Sequence, residues 1–256
     1  MAKAKQDNPG EIEILKLQHG RLVCRIRGIT PLIYNRMSAK VRQDLLLPKG
    51  RKTTAEKAST LKHNPLVEYQ RSMFTLRGGP TLLGFPAVAF KRALASAAID
   101  MGIAKRTQVD RLVWAVGENI PVWGIPELRM DVVRSADMNK TPDIRTRATL
   151  REWACELTLA YTMPIINGTM VTNLLAGAGL IRGIGDFRQE KGAGNFGQFE
   201  LVDRDDEKWN ETVGLCGRDE QQKAFDEPEV YDNESEELYA WWAEEAKRRG
   251  HEVAKH

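Results

Sequence analysis

Along residues 20–33 apolar and polar positions alternate with the two-residue period of a strand. Leu22, Cys24 and Ile26 fall on one side, and Arg21, Arg25 and Arg27 on the other with Val23 among them. Gly28 and Pro31 punctuate its end. The period changes after residue 84. Phe90, Leu94, Ala97, Ala98 and Met101 lie at i, i+4, i+7, i+8 and i+11, the stripe of a helix with one buried face, and Pro86 suits its first turn. Residues 127–134 alternate through Leu128, Met130 and Val132. Residues 154–162 alternate through Cys155, Leu157, Leu159 and Tyr161, and Pro164 stops that strand. Asn167 or Thr169 is placed to cap a second helix with the stripe Val171, Leu174, Leu175 and Ala178, ended by Gly183. A last strand is expected over 197–202. A helix over 234–249 carries the adjacent Trp241 and Trp242, which suit docking on the body or on a neighbouring subunit.

The order is strand, helix, strand, strand, helix, strand. This is the βαββαβ pattern of an α+β, ferredoxin-like or RRM-like core. The core is expected over residues 1–205, followed by an acidic, partly helical C-terminal tail over 206–256. Residues 36–77 read as a long basic insertion after the first strand, with ten cations against Asp44, Glu56 and Glu68. A loop of that length is functional or disordered. A second cation-rich segment holds Arg134, Lys140, Arg145, Arg147 and Arg151, and Pro142 predicts that it is irregular.

Composition sharpens the picture through charge. The 256 residues carry a net +3, but residues 201–256 hold 17 acids and 8 bases, leaving 30 bases and 18 acids in residues 1–200. A basic body with an acidic tail suits a nucleic-acid binder whose tail competes for the site; a merely solvated tail is the other reading. Cys24, Cys155 and Cys216 are scattered and odd in number, which suggests neither a disulfide framework nor a zinc site. No cofactor or metal is expected. The first ten residues lack the apolar core of a signal peptide, and no apolar run is long enough to span a bilayer. A cytoplasmic protein without a membrane partner is expected.

The densest chemistry lies at residues 183–197, where five glycines enclose Arg188 and Lys191. Glycine lets a backbone approach a ligand closely, and two cations among glycines suit a polyanion; a flexible hairpin is the plainer reading. Gly183, Gly185, Arg188, Lys191, Gly192 and Gly194 are therefore candidate nucleic-acid contacts. So are Arg21, Arg25 and Arg27 on the first strand, and Arg36, Lys40, Arg42, Lys49, Arg51 and Lys52 in the insertion. Lys91 and Arg92 sit near a helix N-terminus, where phosphate is favoured. Arg134, Arg145 and Arg147 belong to a second loop that would track a backbone.

Two segments resemble a known family. Gly84-Phe85-Pro86-Ala87-Val88-Ala89-Phe90-Lys91-Arg92-Ala93-Leu94 is similar to the conserved helix-start element of the RAMP superfamily, and residues 183–200 resemble its glycine-rich loop. The resemblance covers residues 20–202. RAMP proteins are RRM-fold subunits of CRISPR effector complexes, and their backbone subunits polymerise along a guide RNA. The resemblance implies a non-catalytic protein that multimerises on guide RNA with copies of itself and other effector subunits. Residues 36–77 would be the finger, with Lys91, Arg92 and the glycine loop near the RNA. Ala87-Val88-Ala89 departs from the family's Gly-Ser-Ser, so hydroxyl donors to phosphate are missing. A phage single-stranded DNA-binding or annealing protein on the same scaffold is an alternative.

An RNA-processing endoribonuclease is a further alternative, because some relatives cleave RNA with an early histidine. His19 and His63 are the candidates, and Asp44 is the only aspartate in the insertion. Neither histidine has an obvious partner in the sequence, and Asp44, with cations near it, reads as a surface ion pair. No GxxxxGK[ST], HExxH or GxSxG motif is present. Gly183-Ile184-Gly185 lacks the strand-before, helix-after setting of a dinucleotide fingerprint.

Overall fold

The computed structural model describes residues 15–37, 42, 46, 61–134, 142–189 and 194–251. Its longest strand is β1, Gln18–Gly28, in which Cys24 and Ile26 are buried and Val23 is exposed, as the alternation predicts. The strand stops at Gly28 rather than running on to residue 33. Residues 32–33 form β2, Leu32–Ile33, which belongs to a different sheet. The remaining elements, in chain order, are α1 (Pro65–Ser72), β3 (Phe74–Thr75), β4 (Leu83–Pro86), α2 (Ala87–Met101), α3 (Arg106–Leu112), β5 (Val113–Ala115), β6 (Asn119–Trp123), β7 (Pro126–Arg134), β8 (Pro142–Leu150), β9 (Ala154–Met163), α4 (Gly168–Gly177), β10 (Phe199–Val202), α5 (Glu207–Leu215), α6 (Arg218–Asp226) and α7 (Asn233–Arg248).

The main sheet is antiparallel, in the order β10-β1-β9-β6-β4-β3, with β5 also paired to β9. Helices α2 and α4 pack against each other on one face of this α+β sheet. The predicted stripes do the packing: Phe90, Leu94, Ala97 and Ala98 of α2 and Val171, Leu174 and Leu175 of α4 are buried. Each large side chain so buried contributes about 1.5–3 kcal/mol. Helix α2 ends at Gly102, whose φ of +64° gives the left-handed turn that a side chain would resist. Asn167 caps α4, accepting from the Met170 N–H at 2.8 Å.

A second sheet, β2-β8-β7, carries α1 against β8 and α7 against β7. Two sequence expectations are corrected here. Residues 127–134 do not join the main sheet; β6 takes the place beside β9 instead. The segment after Pro142 is a regular strand, not an irregular loop, because it pairs with β7 from Arg134↔Pro142 to Pro126↔Leu150. Its hydrophobic period is hidden by Arg147, which is buried and ion-paired to Asp186 at 2.6 Å.

The C-terminal segment holds three helices where one was expected, and they pack on the body. Trp242 donates to the His63 carbonyl at 2.9 Å, whereas Trp241 stays 63 % exposed. The tightest link is Gln221 of α6, fully buried. Its side-chain oxygen accepts from the Leu82 and Leu83 N–H groups at 2.8 and 3.0 Å, and its nitrogen donates to the Val122 and Gly124 carbonyls at 2.9 and 3.0 Å. Arg218 donates to the Leu76 and Thr81 carbonyls, and Tyr69 to those of Ala224 and Pro126. One amide thus serves four backbone groups that would otherwise be buried unpaired. Gln221→Leu is expected to lower unfolding stability by about 3 kcal/mol, read as a lower urea midpoint at unchanged m-value; a variant as stable as the parent would contradict this bonding.

Candidate nucleic-acid interface

Glycine-rich residues 183–197 are held by the chain's own backbone. Ile184 N–H donates to the Gly197 carbonyl at 2.9 Å, Gly197 N–H to Pro31 at 2.8 Å, and Asp186 N–H to Ile33 at 3.1 Å. Gly197 has φ +72°, and a Cβ there would lie 1.7 Å from the Ile184 oxygen; at Gly194 it would lie 1.4 Å from the Phe187 oxygen. Gly183 and Gly185 also take positive φ. The close approach that these glycines permit is therefore to the protein's own backbone, within the segment at Gly183, Gly194 and Gly197 and against Ile33 of β2 at Gly185. Arg188 is half-buried and donates to the Gly185 carbonyl at 3.3 Å.

Aromatic rings and arginines fasten this segment to the β7–β8 hairpin. Arg147 lies 5.5 Å from the Phe187 ring centroid, and Arg129 lies 4.8 Å from that of Phe196 and 4.9 Å from that of Tyr231. Arg147, with only 5 % exposure and Asp186 beside it, is committed to this joint. Arg134 and Arg145 are exposed on the same hairpin.

The arginine face of β1 is divided. Arg25 pairs with Glu156 at 3.0 Å and lies under the Trp209 ring of α5; Arg27 pairs with Glu200 at 2.6 Å and meets Asp206 at 3.6 Å. Arg21 is exposed at the other end. Lys40, Lys49, Arg51, Lys52, Lys191 and Gly192, together with Asp44, lie outside the described residues.

Two predicted contacts, Arg36 and Lys91, do come together. An open cleft of about 610 Å³ lies at the start of α2, and its lining includes Arg36, Phe74, Lys91, Trp114 and Glu118. Arg36 is placed by β2 and by its backbone bond to Ser72, and its guanidinium sits 5.5 Å from the Phe74 centroid while donating to the Met73 carbonyl. Lys91 reaches the cleft from the start of the second turn of α2, and Arg92 beside it is exposed. Burial and the neighbouring Arg42 guanidinium lower the Arg36 pKa from its ordinary value. Like charges held together in this way are relieved by a bound anion. The sequence pattern does not mark Trp114 as a contact. The available signal was Val113-Trp114-Ala115 itself, where the outer residue of a short strand is an indole.

The candidate catalytic histidines have other surroundings. His19 meets Trp114 edge-on at 5.2 Å between ring centroids. His63 Nδ1 lies 3.0 Å from Glu68 and its Nε2 3.3 Å from Asp143, which also pairs with Lys62 at 2.6 Å. The bond to Glu68 raises the His63 pKa above its ordinary 6.5, and burial opposes that rise. This joins α1, β8 and, through the His63 carbonyl, α7. Among the described residues no three His, Cys, Asp or Glu side chains gather as a metal site, and no helix is long and apolar enough to cross a membrane. No protein-family model matches the chain, and no curated protein matches it.

Two outcomes are expected. Gly197→Ala should cost about 2 kcal/mol or more of stability, checked by urea denaturation; an unchanged midpoint would contradict the close backbone contact. Because folding raises the His63 pKa, its stabilisation is complete below the unfolded value of 6.5 and fades as pH rises through the higher folded value. Urea midpoints from pH 5.5 to 8.5 should fall accordingly, and His63→Gln should flatten that part of the profile.

Proposed function

We propose that this protein binds single-stranded nucleic acid without sequence preference, and that it acts in several copies along the strand. The observation that carries the reading is the cleft at the start of α2, where Arg36 and Lys91 stand beside the rings of Phe74 and Trp114. Cations at this spacing neutralise phosphates, and flat rings accept bases of any identity. Net positive charge over residues 1–200 adds long-range attraction.

The strand order supports a ferredoxin-like core. Taking β1, β6, β9 and β10 as the four core strands, the spatial order is fourth, first, third, second, all antiparallel, with α2 and α4 on one face. On that core we place the chain with the RAMP-type subunits that coat a guide RNA, RNA being the strand chemistry that this resemblance favours. The C-terminal helices enter the reading as part of the body, since Gln221 binds α6 to β4 and β6 and Arg218 binds it to the residues between β3 and β4. Charge competition by the acidic segment then operates locally, at Arg27, which Asp206 approaches at 3.6 Å.

Fluorescence anisotropy with labelled oligonucleotides tests the reading. Affinity should fall steeply with salt, and Arg36→Ala and Lys91→Ala should each reduce the slope of log K against log salt by about 1. Competition between RNA and DNA of equal length reads the strand preference, and DNA winning would favour the phage-type alternative. Flat salt dependence would overturn the proposal.

A further inference from the structure

Beyond the cleft, the outer face of the main sheet continues as a second surface. Arg21 of β1, Ala160 of β9 and Trp114 of β5 are consecutive across three strands, because Ala160 is the register partner of both. Ala160 is 2 % exposed, so its methyl is covered by its neighbours, among them the half-buried indole, which His19 of β1 meets edge-on at 5.2 Å. Val23, 56 % exposed, and Val116, 38 % exposed, both adjoin Thr158 and extend the surface with apolar groups.

The other end of the same face indicates what such a surface accepts. There α5 lays the Trp209 ring 6.2 Å from Trp123 and under Arg25, while Asp206 approaches Arg27. A flat ring and an anion, carried on one short segment, fill that half. A nucleotide offers the same pair, a base and a phosphate. The half around Trp114 has its own indole and arginine, with the His19 ring edge-on to the indole at 5.2 Å.

Resting on the nucleic-acid reading above, we propose that Trp114 is a base-stacking platform, with Arg21 flanking the stacked base and the adjoining phosphate held in the cleft by Arg36 and Lys91. The strand is therefore held by its bases as well as by its phosphates.

The test compares oligouridylate of about 20 nucleotides with an abasic oligomer of the same charge, at several salt concentrations, using parent, Trp114→Ala and Trp114→Phe proteins. Trp114→Ala should weaken oligouridylate binding about tenfold or more without altering the salt slope. It should leave abasic binding unchanged, and Trp114→Phe should retain most of the affinity. Thermal melting identifies any variant that fails to fold, in which case the Trp114→Phe protein and the parent's preference for oligouridylate over the abasic oligomer carry the test. Equal binding of the two oligomers by the parent, or equal loss of both in Trp114→Ala, overturns the stacking role while steep salt dependence keeps the wider reading intact. Flat salt dependence in the parent takes both down.

Discussion

The passage of residues 28–34 from one sheet to the other is the constraint on which the rest of the molecule depends. These residues leave β1 and join β2, and the glycine-rich segment holds them by backbone bonds from Ile29 to Gln198, from Gly197 to Pro31 and from Asp186 to Ile33. The segment folds so closely on itself that a Cβ at Gly197 would overlap the Ile184 oxygen, and it lies so close to β2 that a Cβ at Gly185 would stand 2.7 Å from the Ile33 oxygen. Arg36 follows directly, so this crossing places a cation at the mouth of the cleft. The Arg147–Asp186 pair closes the same joint from β8. Its burial would be costly for either charge alone, and each offsets that cost for the other.

Charge is distributed by the fold rather than simply displayed on it. Of three arginines on β1, two meet carboxylates and an indole from the chain itself, and one is open. Arginines of the β7–β8 hairpin follow the same division: Arg129 and Arg147 stack on rings and join elements together, whereas Arg134 and Arg145 face solvent. Guanidinium groups suit both tasks because they stack as well as pair. A positive net charge on the body is therefore an upper bound on the cations left for a polyanion.

The acidic C-terminal helices belong to this arrangement. Gln221 completes the backbone bonding of β4, which leads into α2, and of β6, and both strands line the cleft, at Pro86 and Asn119. Tyr69 ties α1 to α6 and β7 through the Ala224 and Pro126 carbonyls. Polar side chains do this work because the groups they reach are backbone N–H and C=O groups, which cannot be left unpaired away from water.

Local pattern was enough to determine the strand face of Leu22, Cys24 and Ile26, the helices around Phe90 and Leu174, and the strand through Leu157, because a two- or 3.6-residue period is written in neighbouring residues. It was enough, too, to mark Arg36 and Lys91 as candidate contacts. Three things lay beyond it. The strand after Pro142 was hidden because Arg147 is buried by a partner 39 positions away in the chain. The glycines of residues 183–197 carry no label saying whether ligand or protein comes close; only the placement of Pro31 and Ile33 answers that. Trp114 reads as core until register sets it across from Ala160 and Arg21. Period is a local property of the chain, whereas the partner of a charge, the neighbour of a glycine and the exposure of a ring are set by residues distant in sequence, and so by tertiary structure alone.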